Sequence, residues 1–335
     1  MPRFSRELGI DLGTSNTVIS EGKEIMLHEP TAVAVLLDEW KMVEWGQVAK
    51  DMTGRVPEMM KVFYPIQHGV IADYEITENL LRYLIHKIIG KMLLFRPKLM
   101  LTVPYGITSV ESRAVHEAGL GAGSREVYLI QAPLAAALGI DLPIATPTGN
   151  MIICLGGGAN QVGVLAMNSI ISAETERSGG MQMDQDIVDY IRKKYGVILS
   201  HTTAEVVKIR IGGAVHDVES LDMEVQGRDQ VTGLPRSVTV TTEDIIEALR
   251  EQLEKIVVLV RRVLEKTPPE LVSDIIDHGA ALCGGSSQLR GIDRYLTKEL
   301  GIPAYLIDDP TTCTAKGAAR ALTMMDVLQR SLPPV

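Results

Sequence analysis

The chain has 335 residues, 46% hydrophobic and 22% charged, and its 42 acidic against 33 basic side chains give a formal net charge of -9. That length exceeds one small core and calls for two domains or one bilobed body. The composition excludes a disordered chain, and the acidic balance argues against a general nucleic-acid binder.

Cys154, Cys283 and Cys313 are far apart and lack C-x-x-C spacing, which excludes a disulfide framework and suits a reducing cytoplasm. The seven histidines are scattered without metal-ligand spacing. No apolar run reaches the ~18 residues of a spanning helix, and no N-terminal stretch has the form of a signal peptide. The expectation is a cytoplasmic protein, neither exported nor transmembrane.

In chain order, "LGIDLGTSNTVIS" (8–20) reads as strand, glycine turn, strand, with Gly13 at the tip. Residues 78–90, "ENLLRYLIHKIIG", put Leu81, Leu84, Ile85, Ile88 and Ile89 on one helical face and stop at Gly90. A buried strand "LMLTVP" (99–104), a helix "TSVESRAVHEAGLGAG" (108–123), a strand "EVYLI" (126–130) and a short Ala-rich helix (134–139) follow. Strands alternating with helices predict an α/β fold around a largely parallel, covered sheet.

The connection "IDLPIATPTGN" (140–150) marks a lobe boundary, and "MIICLGGGANQVGVLAMNSIISAE" (151–174) repeats the opening pattern of strand, glycine turn, strand, strand. Aligning residues 9–18 with 152–162 pairs Leu12 with Leu155 and Gly13 with Gly156, so an internal duplication is predicted. Asp11 then falls opposite Cys154.

A polar stretch (215–241) suits a small exposed subdomain, and Thr242 precedes a long amphipathic helix with acids first and basic residues last. "CGGSSQ" (283–288) is a third glycine-rich turn, expected to open a helix, and "DDPTTCTAKGAARALTMMDVL" (308–328) ends the chain in helices.

Two glycine hairpins in duplicated lobes can grip one triphosphate from both sides, because turns without Cβ atoms let successive N–H groups approach phosphate oxygens. The third turn offers amides to an adenosine or its phosphates. Each turn alone reads as structure; three of them, two in a duplicated frame, read as a nucleotide site.

These segments resemble the superfamily of actin, heat-shock chaperone and sugar-kinase ATPases, and within it the bacterial actins of the MreB type. The resemblance runs through "EPTAVAV", "HGVIADYEITENLLRY", "TVPYGITSVESRAV", "GGMQMDQDIVDYIRKKYG", "CGGSSQLRGID" and "DDPTTCTAKGAARAL". It implies a duplicated actin-like (ribonuclease H-like) ATPase fold of two lobes, each with a large and a small subdomain. Lobe I is expected at 1–145 plus 311–335, with a small subdomain at about 31–66; lobe II is expected at 146–310, with a small subdomain at about 180–241.

Carried over by position, the resemblance makes Thr14, Ser15, Asn16 and Thr17 the first phosphate loop and Gly156, Gly157, Gly158 and Ala159 the second. Glu205 and Lys208 match residues that hold the ribose and adenine. Gly284, Gly285, Ser286 and Ser287 match the adenosine turn. Asp11 matches the carboxylate that holds magnesium through water, an apt role for a hard oxygen ligand. ATP or ADP with Mg2+ is therefore the implied cofactor.

The chain departs from the family in its catalytic set. The second turn, D-I-G-G-G-T-T-E in the family, reads "CLGGGANQ", with Cys154 for the Asp, Ala159 and Asn160 for the Thr pair, and Gln161 for the Glu. A neutral thiol is a soft ligand and does not replace a carboxylate around magnesium. Cys154 otherwise reads as a small buried hydrophobe at a strand end. Gln131 stands where bacterial actins place the Glu that positions the hydrolytic water, although eukaryotic actins also have Gln there. Met181 and Gln182 replace the Asp-Lys of G-G-D-K. Retained ATP binding with slow or absent hydrolysis is expected.

Met92, Leu93, Leu94 and Phe95 lie between Lys91 and Arg96; they read either as a loop folded on the core or, by resemblance, as a membrane-dipping loop flanked by basic residues suited to anionic headgroups. The N-terminal "MPRFSREL" could add a second anchor. The implied function is a filament subunit, peripheral on the inner face of the cell membrane, that organises cell-wall synthesis and rod shape. Its implied partners are itself, the inner membrane surface, cell-wall or shape-determining membrane proteins, and other bacterial actin paralogues. The alternatives are a hydrolysis-deficient, copolymerising paralogue and, from another class, a small-molecule kinase or chaperone-type ATPase. A kinase needs a carboxylate base facing a sugar pocket and a chaperone a C-terminal peptide-binding domain, and neither is visible before Val335.

Overall fold

A computed structural model describes residues 6–90 and 96–333. The expected membrane loop at Met92, Leu93, Leu94 and Phe95, and most of the N-terminal segment, lie outside the described residues.

The first half begins with a meander of β1 (Glu7–Leu12), β2 (Asn16–Glu21) and β3 (Glu24–Pro30). An inserted unit follows, with β4 (Val33–Leu36), β5 (Lys41–Trp45), α1 (Gly46–Asp51) and β6 (Met60–Phe63), its strands ordered β5-β4-β6. A short ribbon of β7 (Ile66–Gln67) and β8 (Val70–Ile71) leads to α2 (Tyr74–Ile89). This helix starts four residues before the stretch predicted at 78, because Asp73 caps it by accepting from the Ile76 N–H at 2.9 Å.

Then come β9 (Lys98–Val103), α3 (Ser109–Gly121), β10 (Glu126–Gln131) and α4 (Ala132–Gly139). The side chains of Thr108 and Glu111 form a reciprocal capping box at the start of α3. The main sheet runs β10-β9-β1-β2-β3, with β1, β9 and β10 mutually parallel and β1, β2 and β3 antiparallel.

The second half repeats this plan. Strands β11 (Asn150–Leu155), β12 (Asn160–Ala166) and β13 (Ser169–Glu176) form its meander, followed by α5 (Gly180–Tyr195), β14 (Val197–Ile198) and α6 (His201–Ile211). The polar stretch supplies β15 (Asp222–Asp229) and β16 (Pro235–Thr241), which pair with β14 in a small sheet. The long helix α7 (Thr242–Glu265) is held at its start by a second capping box, Thr241 with Asp244.

Helix α8 (Pro269–His278), β17 (Ala280–Cys283), α9 (Ile292–Leu300), β18 (Ala304–Leu306), α10 (Cys313–Thr323) and α11 (Met325–Leu328) complete the chain. The second main sheet runs β13-β12-β11-β17-β18. Reading outward from each meander, both sheets have three antiparallel strands followed by two parallel ones, so the predicted duplication extends to the whole topology.

Each half has its own aliphatic core. One gathers Ile153, Leu155, Val162 and Ile187 with the buried face of α7; the other gathers Leu8, Ile10, Leu81, Leu84 and Leu101. A third cluster, with Ile130, Leu134, Ile152, Ala281 and Ala318, joins the halves, because α10 returns from the C-terminus to pack on α4 and β1. Burying these side chains at about 25 cal/mol per Å2 of apolar surface is the main force holding the two halves together.

Candidate nucleotide-binding cleft

The two β-hairpin turns face each other across a cavity of about 720 Å3, within the ~300–1,000 Å3 usual for small-molecule sites. They are built alike. The Gly13 N–H donates to the Asn16 carbonyl at 3.1 Å, and the Gly156 N–H donates to the Ala159 carbonyl at 3.0 Å. A Cβ on Gly13 would lie 2.6 Å from Asn16 O, and one on Gly156 would lie 2.6 Å from Ala159 O, so both turns demand glycine for the same steric reason.

Thr14, Ser15 and Asn16 from the first turn and Gly156, Gly157, Gly158 and Ala159 from the second line the cavity. The tips touch: a Cβ on Gly157 would overlap Ser15 and one on Gly158 would overlap Thr14. Thr17 does not line the cavity; it is buried and its hydroxyl bonds that of Thr31 at 2.9 Å.

The third turn departs from the helix expected there. Gly284 adopts φ 88°, and Gly285–Gln288 form a single 3-10 turn, with α9 starting only after Gly291. Gly284, Gly285 and Ser286 line the cleft. Ser286 Oγ donates to the Gly156 carbonyl at 3.2 Å, fixing this turn to the second hairpin. Ser287 is buried and its hydroxyl is used within the turn, donating to Gly284 O at 2.6 Å.

Asp11 sits at the end of β1 on the cavity floor, where burial raises its pKa against a hydrogen bond from Thr102. The Thr102 hydroxyl donates to Asp11 Oδ1 at 2.6 Å. In the second half Cys154 occupies the corresponding end of β11, paired directly with Cys283 on β17, and the Cys283 thiol donates to the Cys154 sulfur at 3.2 Å. Asp11 with Thr102 and Cys154 with Cys283 are thus matching positions of the two sheets. Cys154 is 8% exposed, a small apolar side chain at a strand end.

Glu205 and Lys208, one turn apart on α6, also line the cleft, each with a partner. Lys208 Nζ meets Asp184 Oδ1 at 2.7 Å and donates to the Gly180 carbonyl at 2.7 Å. Burial lifts Asp184 to about 6, although the Lys208 charge opposes the shift. Glu205 reaches across the opening to Lys50 on α1, Nζ to Oε2 2.6 Å. Tyr64 beside them is pushed up to about 12 by burial and by the Glu205 and Asp184 charges.

Gln131 is not brought to the cleft. Its neighbour Ala132 lines the cleft, while Gln131 lines a second cavity with Tyr105 and Arg330, and its Oε1 is buried without a hydrogen-bond partner among the described residues. Gln161 does line the cleft, and its Oε1 accepts from the Tyr105 N–H at 3.0 Å, tying the two halves together. Met181 lines the cleft, whereas Gln182 is turned outward to Asp186.

Sequence reasoning missed Thr102, the Lys50–Glu205 bridge, the Gln161–Tyr105 link and the meeting of the cysteines. The duplication carried the signal for Thr102 and Cys283, since extending the repeat to β9 and β17 sets one opposite the other. Among the described residues no group of three or more His, Cys, Asp or Glu forms a metal cage; a cation at Asp11 would draw its remaining ligands from water and phosphate.

Duplicated sheets with paired glycine turns around one cavity define an actin-like α/β protein. The chain belongs to the MreB/Mbl family, whose model matches residues 5–330. It is 41% identical over 330 residues to the cell shape-determining protein MreB of Escherichia coli K12, covering 97% of this chain and 95% of that protein. It is 40% identical over 328 residues to the cell shape-determining protein Mbl of Bacillus cereus, covering 98% of each.

The fold matches the crystal structure of MreB5 of Spiroplasma citri bound to AMPPNP, with a TM-score of 0.90 and 30% identity over 98% of this chain and 99% of that one. The same protein bound to ADP gives 0.91 at 29% identity, with the same coverage. The MamK double helical filament shares the fold, with a TM-score of 0.80 at 20% identity over 94% of this chain and 98% of that one.

Proposed function

We propose that the chain is an ATP-binding cytoskeletal subunit that polymerises into filaments on the inner face of the cell membrane and serves cell-wall synthesis and rod shape, with slow or undetectable ATP turnover. The observation that carries the nucleotide reading is the pair of matching glycine turns, closed by the same hydrogen bond and facing one cavity. The nucleotide-bound MreB5 structures and the cell shape-determining relatives support it.

In this reading the turn amides bind the phosphates, and the third turn with Glu205 and Lys208 holds the nucleoside. Glu205 exchanges or shares its bond to Lys50 when the ribose arrives. Asp11, a hard oxygen ligand on the cavity floor, would hold Mg2+ through water, and the cation when bound would supply neutralisation of phosphate charge. Polymerisation rests on the family and on the MamK filament fold.

Loss of hydrolysis follows from Cys154, which offers neither a carboxylate for magnesium nor a base for water, and from Gln131, which faces the other cavity. This favours a second, narrower form of the same reading, in which the chain copolymerises with an active paralogue. Sedimentation and electron microscopy with and without Mg-ATP, alone and mixed with an active MreB, distinguish the two. The proposal expects ATP-dependent pelleting and filaments, and the absence of polymer in every mixture overturns it. The membrane arm concerns the 92–95 segment: Leu93→Glu with Phe95→Glu should abolish flotation with anionic vesicles while sparing nucleotide binding.

A further inference from the structure

All three cysteines of the chain meet beneath the cleft floor, although no two are neighbours in sequence. Cys283 is hydrogen-bonded to Cys154 and packs in the same buried cluster as Cys313, whose own sulfur meets Pro310 O at 3.6 Å. Cys154, 8% exposed, borders the cavity with Cys283 directly behind it at 0% exposed, whereas Cys313, on α10, does not line the cavity.

Strands β11 and β17 are parallel neighbours with Cys154 directly opposite Cys283. Adjacent strands lie about 4.8 Å apart, inside the ~4.4–6.8 Å between Cα atoms that a disulfide spans. Both side chains point to the same face, and their sulfurs are 3.2 Å apart, so closure to a bond of ~2.05 Å needs a shift of roughly 1 Å. The matching pair in the first half, Asp11 with Thr102, carries no thiol and has no such chemistry open to it.

We propose that Cys154 and Cys283 are a peroxide-sensitive dithiol that closes to an intrachain disulfide on the floor of the cleft. The oxidant is a hydroperoxide small enough to enter the cavity. The Cys154 sulfur attacks one peroxide oxygen, the O–O bond breaks, and Cys154 becomes a sulfenic acid with release of one water. The Cys283 sulfur then attacks that sulfur, an S–S bond forms as the S–OH bond breaks, and the departing hydroxyl leaves with the Cys283 proton as a second water. Two thiols and one hydrogen peroxide thus give one disulfide and two waters.

The bond ties the last residues before the second hairpin turn to those before the third, the two turns already joined by Ser286. Cys313 remains a thiol. The proposal does not rest on the nucleotide reading of the cleft.

Trypsin separates the three sulfurs, with Cys154 in peptide 126–177, Cys283 in 267–290 and Cys313 in 299–316. The full-length protein, free of nucleotide, is treated with hydrogen peroxide, alkylated, and mapped by mass spectrometry beside a non-reducing gel. The expected result is a monomer carrying a 126–177/267–290 link, with free thiols falling from three to one and dithiothreitol restoring all three. Cys313→Ser retains the link and Cys154→Ala removes it. Unreacted thiols, a link to 299–316, a disulfide-bonded dimer, or sulfinic and sulfonic acids without a link would each overturn the proposal. The wild-type map decides alone if a variant fails to fold.

Discussion

The two hairpin turns of the cleft share a backbone and differ in chemistry. Both close with a glycine N–H donated to the carbonyl three residues on, both exclude a Cβ at that glycine, and both follow a strand whose parallel neighbour contributes one side chain to the floor. In the first half those floor residues are a carboxylate and a hydroxyl; in the second they are two thiols. The comparison separates two tasks. In the proposed function, gripping phosphates would be backbone work, present twice, whereas holding a hydrated cation and activating water would be side-chain work, equipped on one side.

The sharpest way to break this comparison is to make the halves chemically alike. Cys154→Asp should raise phosphate release from ATP by several-fold up to about a hundredfold, the range that one preorganised group typically supplies. A continuous phosphate-release assay checks it, and a variant no faster than the wild type would mean that position 154 does not limit turnover.

The reverse change, Asp11→Ala, should weaken magnesium-dependent ATP binding by about tenfold or more, equivalent to ~1.4 kcal/mol or above. Cys154→Ser should leave it within about twofold, since neither a hydroxyl nor a thiol supplies the hard carboxylate oxygens that magnesium prefers. Titration of a fluorescent ATP analogue with and without magnesium measures both, and equal losses would erase the asymmetry.

A third test addresses what the halves share. Gly13→Ala and Gly156→Ala each set a methyl 2.6 Å from a carbonyl oxygen, so each should destabilise by a similar amount, about 1–3 kcal/mol for an overpacked site. Chemical denaturation reads the pair; a large inequality would show that the turns are not mechanically equivalent.

The smallest effect is expected where the halves meet at the cleft mouth. The Lys50–Glu205 pair is partly exposed on both sides, so Glu205→Gln should cost at most about 1 kcal/mol, and less in high salt. Thermal melts at two salt concentrations test this, and a loss of several kcal/mol would make the bridge a structural clamp.

Much of the fold was legible in the sequence because its signals are local. Glycine turns after β-branched runs, the apolar face of residues 81–89 and the acidic start of α7 each report on a few neighbouring residues, and the repeat between 9–18 and 152–162 extended them to two halves. The third turn misled because "CGGSSQ" resembles a helix start, yet Gly284 at φ 88° and the Ser287 hydroxyl on its carbonyl close one 3-10 turn instead. Gln131 lines the second cavity, a placement the sequence did not signal, since position along a motif does not say toward which cavity a side chain at a strand end is turned.

By itself the sequence determined the duplicated α/β plan and the three glycine turns, which depend on residue type and short-range spacing, while the resemblance to bacterial actins marked Cys154 as standing in place of a carboxylate. Tertiary structure alone decided that Thr17 and Ser287 serve the turns and not the cavity, that Lys50 reaches Glu205, and that three distant cysteines converge. Those outcomes depend on which strands become neighbours and in what register, and on α10 returning to pack across both halves. Pairing of that kind is set by the burial of whole faces and leaves no local mark in the chain.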